Sequence, residues 1–310
     1  MRRLSPECGD MGHRGDSVEK PEDGIMIKLI AVDLDGTLLD GENRIDGRNI
    51  RALQRALDMG IYVVPATGRC MGVFPQELTG LTGLRYAVTE NGALIWDYQG
   101  ERELRRWGLP RGKAEKILRL VEGERAGAGG NPAHGRGFRV YAEVFVHGQA
   151  YADIRSLEGI EATPLGMNFI RYFTENHNFV SGLCAQQKLL DAAEKVNLYF
   201  PDSADGAGVR SRLEQDASIK IASSICGNVE VTAAGVEKGA ALWELAQQLG
   251  IGRREILVFG DNENDLGMFA AAGTAVAMGN AGERVRQAAG HVTGTNDEAG
   301  VAAFLEKYVI

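Results

Sequence analysis

Two aspartates, Asp33 and Asp35, lie where an apolar run ends and a glycine turn begins, in the segment IKLIAVDLDGT of residues 27–37. Side chains alternate along an extended chain, so both carboxylates are expected on the same side, at the end of a strand. One carboxylate could attack phosphorus while the other handles a proton, provided that a divalent metal masks the repulsion between carboxylates and phosphate. Taken alone, the segment is equally typical of a plain strand followed by an Asp/Gly turn.

Three further segments supply what phosphoryl transfer needs. Thr67 and Gly68 follow a second apolar run, where a hydroxyl and a backbone N–H could hold a phosphate. Lys238 begins a predicted helix, from which its ammonium could pair with a phosphate oxygen and with the carboxylate of Asp33. Asp261 follows a third apolar run and could join Asp33 on a metal. Alone, the lysine is more typical of a solvated surface charge, and the acidic segment could also be a polar loop that caps the next helix.

These residues predict a specific role for each group in phosphoryl transfer. Asp33 is the expected nucleophile, and Asp35 the acid and base that protonates the leaving alcohol and later deprotonates water. Mg²⁺ is the expected metal, because the ligands are oxygens and none of these segments contains a histidine. Asn264 and Asp265 are interpreted as helix caps that also orient the nucleophile or Lys238. Arg69 follows Gly68, and its role stays open between assisting catalysis and bracing the loop.

Composition narrows the function classes. The chain has 310 residues, 44% of them apolar, which is enough for two domains of ordinary size. Its net charge of -8 argues against a nucleic-acid partner, so an anionic substrate needs a local cation or a metal. The four cysteines have no zinc-type spacing and predict reduced thiols in a cytoplasmic protein. No apolar stretch approaches the roughly 20 residues that span a bilayer, so no membrane partner is expected. Oligomeric state stays open.

The order of apolar runs and helical periods predicts an α/β fold with an insertion. Strand–helix–strand units near both ends favour a doubly wound parallel sheet, with ligands at the carboxyl ends of its strands. We expect this core to comprise residues 26–94 and 233–310, and an α+β cap domain to comprise residues 95–232. Residues 1–25 are expected to be a flexible tail, with Met26 as a candidate original start.

Within the insert, several segments carry a pattern of their own. Alternating polarity predicts antiparallel strands, covered on one face by helices. A glycine-rich stretch predicts a mobile loop rather than a dinucleotide-binding fingerprint. The predicted strands are 139–146, 168–173 and 219–223, the predicted helices lie around 113–121 and 185–196, and the predicted loop is 123–137.

In this order, the four segments resemble the haloacid dehalogenase superfamily of phosphatases, in particular its Cof-type branch (subfamily IIB) with a large α+β cap. The motifs are Asp-Leu-Asp-Gly-Thr at 33–37, Thr-Gly-Arg at 67–69, Lys238, and Gly-Asp-Asn-Glu-Asn-Asp at 260–265; residues 91–93 and 278–281 also look like segments of this branch. The resemblance implies a Rossmannoid core whose cap closes over a magnesium site.

The resemblance also implies roles for individual residues. Asp33, the backbone carbonyl of Asp35, and Asp261 would bind the metal. The phosphoryl group would be held by Thr67, Gly68 and Lys238. Asn264 would contact phosphate or a neighbouring ligand, and Asp265 would support Lys238 or the metal's waters.

The leading hypothesis is therefore a cytoplasmic, magnesium-dependent phosphatase acting on a small phosphorylated metabolite, such as a sugar phosphate. A phosphomutase is the first alternative. It would need cap cations for a second phosphate, for which Arg136 and Arg139 are candidates, although a solvated face is the plainer interpretation of both. A non-catalytic regulator that binds phosphorylated metabolites is the second alternative. The intact set of Asp33, Asp35, Lys238 and Asp261 argues against it, because pure binding would not require an acid and base at Asp35.

Overall fold

The structure of the protein is a computed structural model, and it describes residues 26–127, 140–223 and 227–310. The predicted tail at 1–25 and the two candidate cap arginines, Arg136 and Arg139, lie outside these residues. The strands, in chain order, are β1 (Leu29–Val32), β2 (Tyr62–Pro65), β3 (Tyr86–Thr89), β4 (Leu94–Asp97), β5 (Arg102–Arg106), β6 (Tyr141–Val146), β7 (Gln149–Asp153), β8 (Asn178–Val180), β9 (Lys195–Tyr199), β10 (Ile219–Ala222), β11 (Asn228–Ala233), β12 (Ile256–Gly260), β13 (Thr274–Ala277) and β14 (His291–Val292).

The α-helices alternate with these strands at both ends of the chain, and their lengths range from 4 residues in α2 to 15 residues in α3. None of the helices within the described ranges is both long enough and apolar enough to cross a membrane. In chain order they are α1 (Gly47–Asp58), α2 (Gln76–Thr79), α3 (Lys113–Gly127), α4 (Gly166–Glu175), α5 (Gln187–Asp191), α6 (Ser203–Leu213), α7 (Lys238–Gln248), α8 (Leu266–Ala271), α9 (Glu283–Ala288) and α10 (Gly300–Tyr308).

The core is a parallel sheet with strand order β14-β13-β12-β1-β2. Its strands are short apolar runs that are buried on both faces, as parallel strands between helices must be. Along β1, Ile30 and Val32 pack with residues of α1 and α10, whereas Leu29 and Ala31 pack with residues of α7 and α8. The predicted doubly wound core is therefore confirmed.

The inserted part of the chain forms a separate sheet of order β10-β11-β9-β6-β7-β8, antiparallel except for the β7–β8 pair. Val196 and Leu198 of β9 pack against apolar residues of α3, α5 and α6 on one face. The alternate residues of β9 are Lys195, Asn197 and Tyr199, and they line a cavity on the other face. The fold class, an α/β core with an α+β cap, is confirmed.

The connection between the two parts is a third, antiparallel sheet, β3-β4-β5. Ile95 of β4, the first residue of the predicted insert, packs in the core cluster that contains α7 and α8. The domain limits at 94/95 and 232/233 remain predictions.

Three local predictions within the cap are wrong. Residues 168–173 lie in helix α4 and not in a strand, because Phe169 and Phe173 recur at the i, i+4 spacing and stack at 5.4 Å in a short window compatible with either structure. The helix expected around 185–196 is shorter, because it spans only α5. The last two residues of the predicted helix, 195 and 196, are instead the first residues of β9, a fully buried strand. Of the loop expected at 123–137, residues 123–127 lie in helix α3 instead, and residues 128–137 lie outside the described ranges.

Candidate active site

The carboxyl edge of the parallel sheet brings three of the predicted groups into direct contact. Asp33 follows β1, and its Oδ1 accepts a hydrogen bond from Lys238 Nζ at 2.7 Å. The same ammonium donates to Asp265 Oδ1 at 2.8 Å. Lys238 and Asp265 are completely buried and Asp33 is 3% exposed. Because one ammonium serves two buried carboxylates, the unit carries a net negative charge when both are ionised, and a further cation would offset that charge.

Neighbouring charges and burial act together on these groups. Burial raises the pKa of Asp33 well above its ordinary value; Lys238 opposes this shift, whereas the carboxylates of Asp265, Asp261 and Asp35 add to it. Burial by itself lowers the pKa of Lys238, but Asp265 and Asp33 outweigh it, so the pKa lies above its usual range and the lysine stays charged. The site therefore contains a fixed cation, Lys238, beside a buried carboxylate, Asp33, whose negative charge is costly without further compensation.

Asp261 lies after β12, within reach of the turn that follows Asp33. Its Oδ1 accepts a hydrogen bond from Thr37 Oγ1 at 2.8 Å. Gly36 has a left-handed backbone, with φ +80°, and a Cβ there would lie 2.3 Å from Asp261 Oδ2. The glycine of this turn is therefore required twice, once for its backbone conformation and once for the space that Asp261 occupies. Burial raises the pKa of Asp261 to about 6, and the negative charge of Asp265 makes the second-largest contribution to this shift.

Asp265 organises the loop that carries Asp261. Its Oδ2 accepts the backbone N–H groups of Asp261 at 3.0 Å and of Asn262 at 3.1 Å, while its Oδ1 binds Lys238. A Cβ on Gly260 would lie 2.5 Å from the Cβ of Asp265, so the strand end and the loop are packed in contact. Both carboxylate oxygens of Asp265 are thus occupied by protein donors, which fits a residue that supports Lys238.

The acidic cluster fits a small, hard cation. Carboxylate oxygens of Asp33, Asp261 and Asp265 lie within 4.8 Å of one another. Asp33 and Asp261 each keep one oxygen, Oδ2, that accepts no hydrogen bond from the residues described, whereas Asp265 uses both of its oxygens. Two oxygen ligands, with waters filling the remaining positions, are typical of Mg²⁺. The donor set therefore suits the predicted metal, because Asp33 and Asp261 each have a carboxylate oxygen that no described residue occupies.

Asp35 takes a different environment from the other carboxylates. It is not in the cluster formed by Asp33, Asp261 and Asp265. Its oxygens instead accept hydrogen bonds from Arg69, from Nε at 2.9 and 3.1 Å and from Nη2 at 2.5 Å. This forked contact fixes Asp35 at the border of the cap-facing cavity. The open question about Arg69 is thus answered in part, since its guanidinium orients Asp35 directly.

Thr67, Gly68 and Asn264 lie around the same sheet edge. Thr67 is fully buried, and its Oγ1 accepts the N–H of Arg69 at 3.1 Å, which leaves the hydroxyl proton free for another acceptor. A Cβ on Gly68 would lie 3.1 Å from Asn91 Oδ1, so the backbone of Gly68 passes close to the side chain of Asn91. Asn264 Nδ2 contacts Asn91 Oδ1 at 3.4 Å.

A cavity of about 660 Å³ lies between this edge and the polar face of the cap sheet, and Asp35, Gly68 and Arg69 form its core side. This volume is within the range that holds a small metabolite. Its cap side is lined by aromatic, amide and charged side chains of α4, β6, β9 and β11, among them Asn168, Phe169, Arg171, Tyr172, Glu143, Phe145, Lys195, Asn197, Tyr199 and Glu230.

Several of these residues were missed by the sequence reasoning. Thr37 stands within the first motif, so its position beside the two aspartates was a usable signal. Asn91 had been noted only as part of a family-like segment. Lys195 and Glu230 gave no motif signal, and the usable sign was a charged residue alternating with apolar ones in each strand, Lys195-Val-Asn-Leu-Tyr and Asn-Val-Glu230-Val.

Comparison with known proteins agrees with this fold. The model of the haloacid dehalogenase-like hydrolase family matches residues 30–305. The chain is 33% identical over 303 residues to the phosphatase YwpJ of Bacillus subtilis, covering 90% of this chain and 99% of that protein. It is 29% identical over 286 residues to the 5-amino-6-(5-phospho-D-ribitylamino)uracil phosphatase YcsE of the same organism, covering 92% and 96%.

A solved structure shows the same architecture. A haloacid dehalogenase-like hydrolase from B. subtilis superposes with a TM-score of 0.73 at 29% identity, covering 90% of this chain and 99% of that one. A capped α/β core with acidic loops at its sheet edge is the class that the structure defines. The chain belongs to the haloacid dehalogenase-like hydrolases, and its curated relatives are phosphatases. These matches confirm the predicted enzyme class, a phosphatase of the haloacid dehalogenase type.

Proposed function

We propose that the protein is a magnesium-dependent phosphomonoester hydrolase that works through an aspartyl phosphate on Asp33. The observation that supports this most directly is the contact between Asp33 and Lys238 beside Asp261, at the carboxyl ends of neighbouring strands. A buried carboxylate beside a fixed cation and a candidate metal position is suited to attack phosphorus, because both cations oppose the repulsion between two anions.

The first half of the reaction forms one bond and breaks another. An oxygen of Asp33 attacks phosphorus, the bond to the leaving oxygen breaks, and Asp35 gives that oxygen a proton. Lys238 and the Thr67 hydroxyl bind oxygens of the transferring group, with the Gly68 N–H beside them. In the second half, Asp35 takes a proton from a water that attacks the phosphorus, which releases phosphate and restores Asp33.

Mg²⁺ would be held by Asp33 and Asp261, with the backbone carbonyl of Asp35 as a further ligand. When bound, it supplies positive charge that offsets the negative charge of the phosphoryl group and of the cluster. Thr37 orients Asp261, and Asp265 holds both the Asp261 loop and Lys238. Asn264 would support the site through the hydrogen bond that its side-chain amide donates to Asn91.

The substrate is a small phosphorylated metabolite, and we favour a sugar phosphate or a related polyol phosphate. Asp35 protonates the leaving oxygen, so the body of the substrate must lie on the side of Asp35, which is the 660 Å³ cavity. The amides, hydroxyls and charges on its cap side suit a body rich in hydroxyl groups. The relative YcsE is named for a substrate that carries its phosphate on a ribityl chain. A cytoplasmic location remains a prediction from the sequence.

A phosphomutase is the second candidate, and Arg171 is the observation that favours it. This exposed arginine lines the cavity and has no ion pair with any residue in the described ranges, so it could hold a second anionic group. The two activities differ in their product, because only a hydrolase releases inorganic phosphate.

The deciding experiment measures phosphate release from a panel of sugar, polyol, nucleotide and cofactor phosphates, with magnesium and again with excess EDTA. We expect release from a subset of the panel and none with EDTA. Isomerised substrate without free phosphate would identify a mutase. Turnover at the full rate with EDTA would refute the role of the metal.

A further inference from the structure

Two charged residues of the cap are buried against the phosphate-binding side of the core. Lys195 on β9 is 1% exposed and Glu230 on β11 is 3% exposed. Lys195 Nζ lies 3.4 Å from Glu230 Oε2 and 4.6 Å from the centroid of the Phe145 ring. Burying such a pair has a large desolvation cost, and apolar residues of similar volume are often as stabilising. Stability alone therefore gives no reason for charges at these two positions.

Lys195 donates a hydrogen bond to the backbone carbonyl of Gly68 at 2.7 Å. The peptide group that carries this carbonyl also contains the N–H of Arg69, which donates to Thr67 Oγ1 at 3.1 Å. Hydrogen bonds at the two ends of one peptide polarise each other, so the cap ammonium strengthens the bond to Thr67. Because the hydroxyl oxygen is held as an acceptor, its proton can be directed at a phosphate oxygen.

Glu230 secures the neighbouring loop. Its Oε2 accepts a hydrogen bond from Asn91 Nδ2, and its Oε1 accepts one from Asn228 Nδ2 at 3.0 Å. The backbone N–H of Asn91 in turn donates to the carbonyl of Thr67 at 3.0 Å. The cap pair thus contacts Gly68 directly and reaches Thr67 through two separate routes, one through the Gly68–Arg69 peptide and one through Asn91.

We propose that Lys195 is a positioning residue of the phosphate site, which orients the Thr67 hydroxyl through the Gly68–Arg69 peptide when the cap lies on the core. The role rests on the proposed function, because it assigns Thr67 to phosphate binding. Glu230 pairs with Lys195 inside the interface and holds the side chain of Asn91. The consequence is that the phosphate site is complete only with the cap in contact, so phosphate affinity depends on a residue of the cap.

The first test compares Lys195→Met with Lys188→Met, which alters an exposed lysine of the cap helix α5. Binding of inorganic phosphate in the presence of magnesium is measured by calorimetry. Hydrolysis of p-nitrophenyl phosphate is measured in parallel. For Lys195→Met we expect the phosphate dissociation constant to rise, and kcat/KM to fall, by about 10- to 100-fold, as for a misplaced binding group. The Lys188 variant keeps both parent values. Equal phosphate binding by the two variants would overturn the proposal.

The second test asks whether Lys195 acts through Thr67. In a Thr67→Val background the hydroxyl is gone, so Lys195→Met should weaken phosphate binding by less than about threefold, since the effects of coupled residues are not additive. Losses that simply multiply would mean that Lys195 works by another route, and would overturn the assigned role.

Removing Lys195 alone leaves Glu230 buried without its cation, so a loss of folding must be separated from a loss of binding. The double variant Lys195→Met with Glu230→Gln removes both charges and keeps an acceptor for Asn91. Its thermal unfolding is compared with that of the parent. A stable double variant that binds phosphate like the parent would overturn the proposal. Turnover by the parent tests the proposed function separately, because phosphate binding is measured without turnover.

Discussion

The core and the cap place their polar groups in different ways. In the core, the residues that the proposed function assigns to catalysis lie just after strands or at a helix start, as Asp33, Thr67, Asp261 and Lys238 do. In the cap, the polar groups are alternate residues within strands, such as Lys195 and Asn197 on β9. A loop keeps its functional residues together in sequence, whereas a sheet face collects them from several strands. Under the proposed function, the core would supply the chemistry that is common to all substrates, and the cap would supply the groups that distinguish one substrate from another.

The largest expected effect is at the nucleophile. Asp33→Asn should lower kcat by at least about 10⁴-fold for every substrate, because the amide has nearly the same shape but is a poor nucleophile. Asp58→Asn, at an exposed aspartate on α1, is the matched control. Phosphate release and circular dichroism check turnover and folding. A folded Asp33→Asn protein with the parent rate would remove Asp33 from the mechanism.

The next effect is on the metal. Asp261→Ala should raise the magnesium concentration needed for half-maximal activity by about 100-fold or more, because a ligand is lost from a site with few protein ligands. Direct titration with Mn²⁺ as a spectroscopic probe gives a readout that does not depend on turnover. Unchanged Mn²⁺ affinity would show that Asp261 does not bind the metal.

A smaller effect is expected at Thr37, which contacts the proposed metal ligand Asp261. Thr37→Val removes the 2.8 Å hydrogen bond that orients Asp261 and should weaken metal binding by about tenfold. Thr79→Val changes an exposed threonine whose hydroxyl bonds only to the backbone of its own helix region, and should leave the affinity unchanged. If both variants matched the parent, Asp261 would be positioned by the loop alone.

The smallest effect is expected in the cap, and it should depend on the substrate. Arg171→Ala removes a cavity-lining charge and should lower kcat/KM about tenfold for a substrate with a second anionic group, and far less for one without. Arg119→Ala, on the cap helix α3, is the control. A uniform loss over the whole panel would break the division between fixed chemistry in the core and discrimination in the cap.

Much of the core could be predicted because its signals are local. The apolar runs before Asp33 and Asp261 predicted buried parallel strands, and such strands must end at one edge. Proximity of Asp33 to Asp261 followed from that rule. The sequence did not show that Asp35 would turn from the cluster to Arg69, because that depends on the turn through Gly36 and on where the Arg69 loop lies.

The cap was less predictable because its structure depends on contacts between residues that are distant in the sequence. A six-residue window at 168–173 satisfied both strand and helix periods, and only packing against neighbours selected the helix α4. Lys195 and Glu230 lie 35 positions apart, on neighbouring strands, and their pairing depends on the register between β9 and β11.

By itself, the sequence determined the order of the core elements and the identity of its reactive loops, because short-range apolar patterns and turn residues encode both. Only the tertiary structure decided which charges meet: that Lys238 serves two carboxylates, that Arg69 holds Asp35, and that a lysine from the cap supports the loop of Thr67. Such contacts depend on how distant strands align and how two packed parts of the chain approach, and no single stretch of residues specifies that.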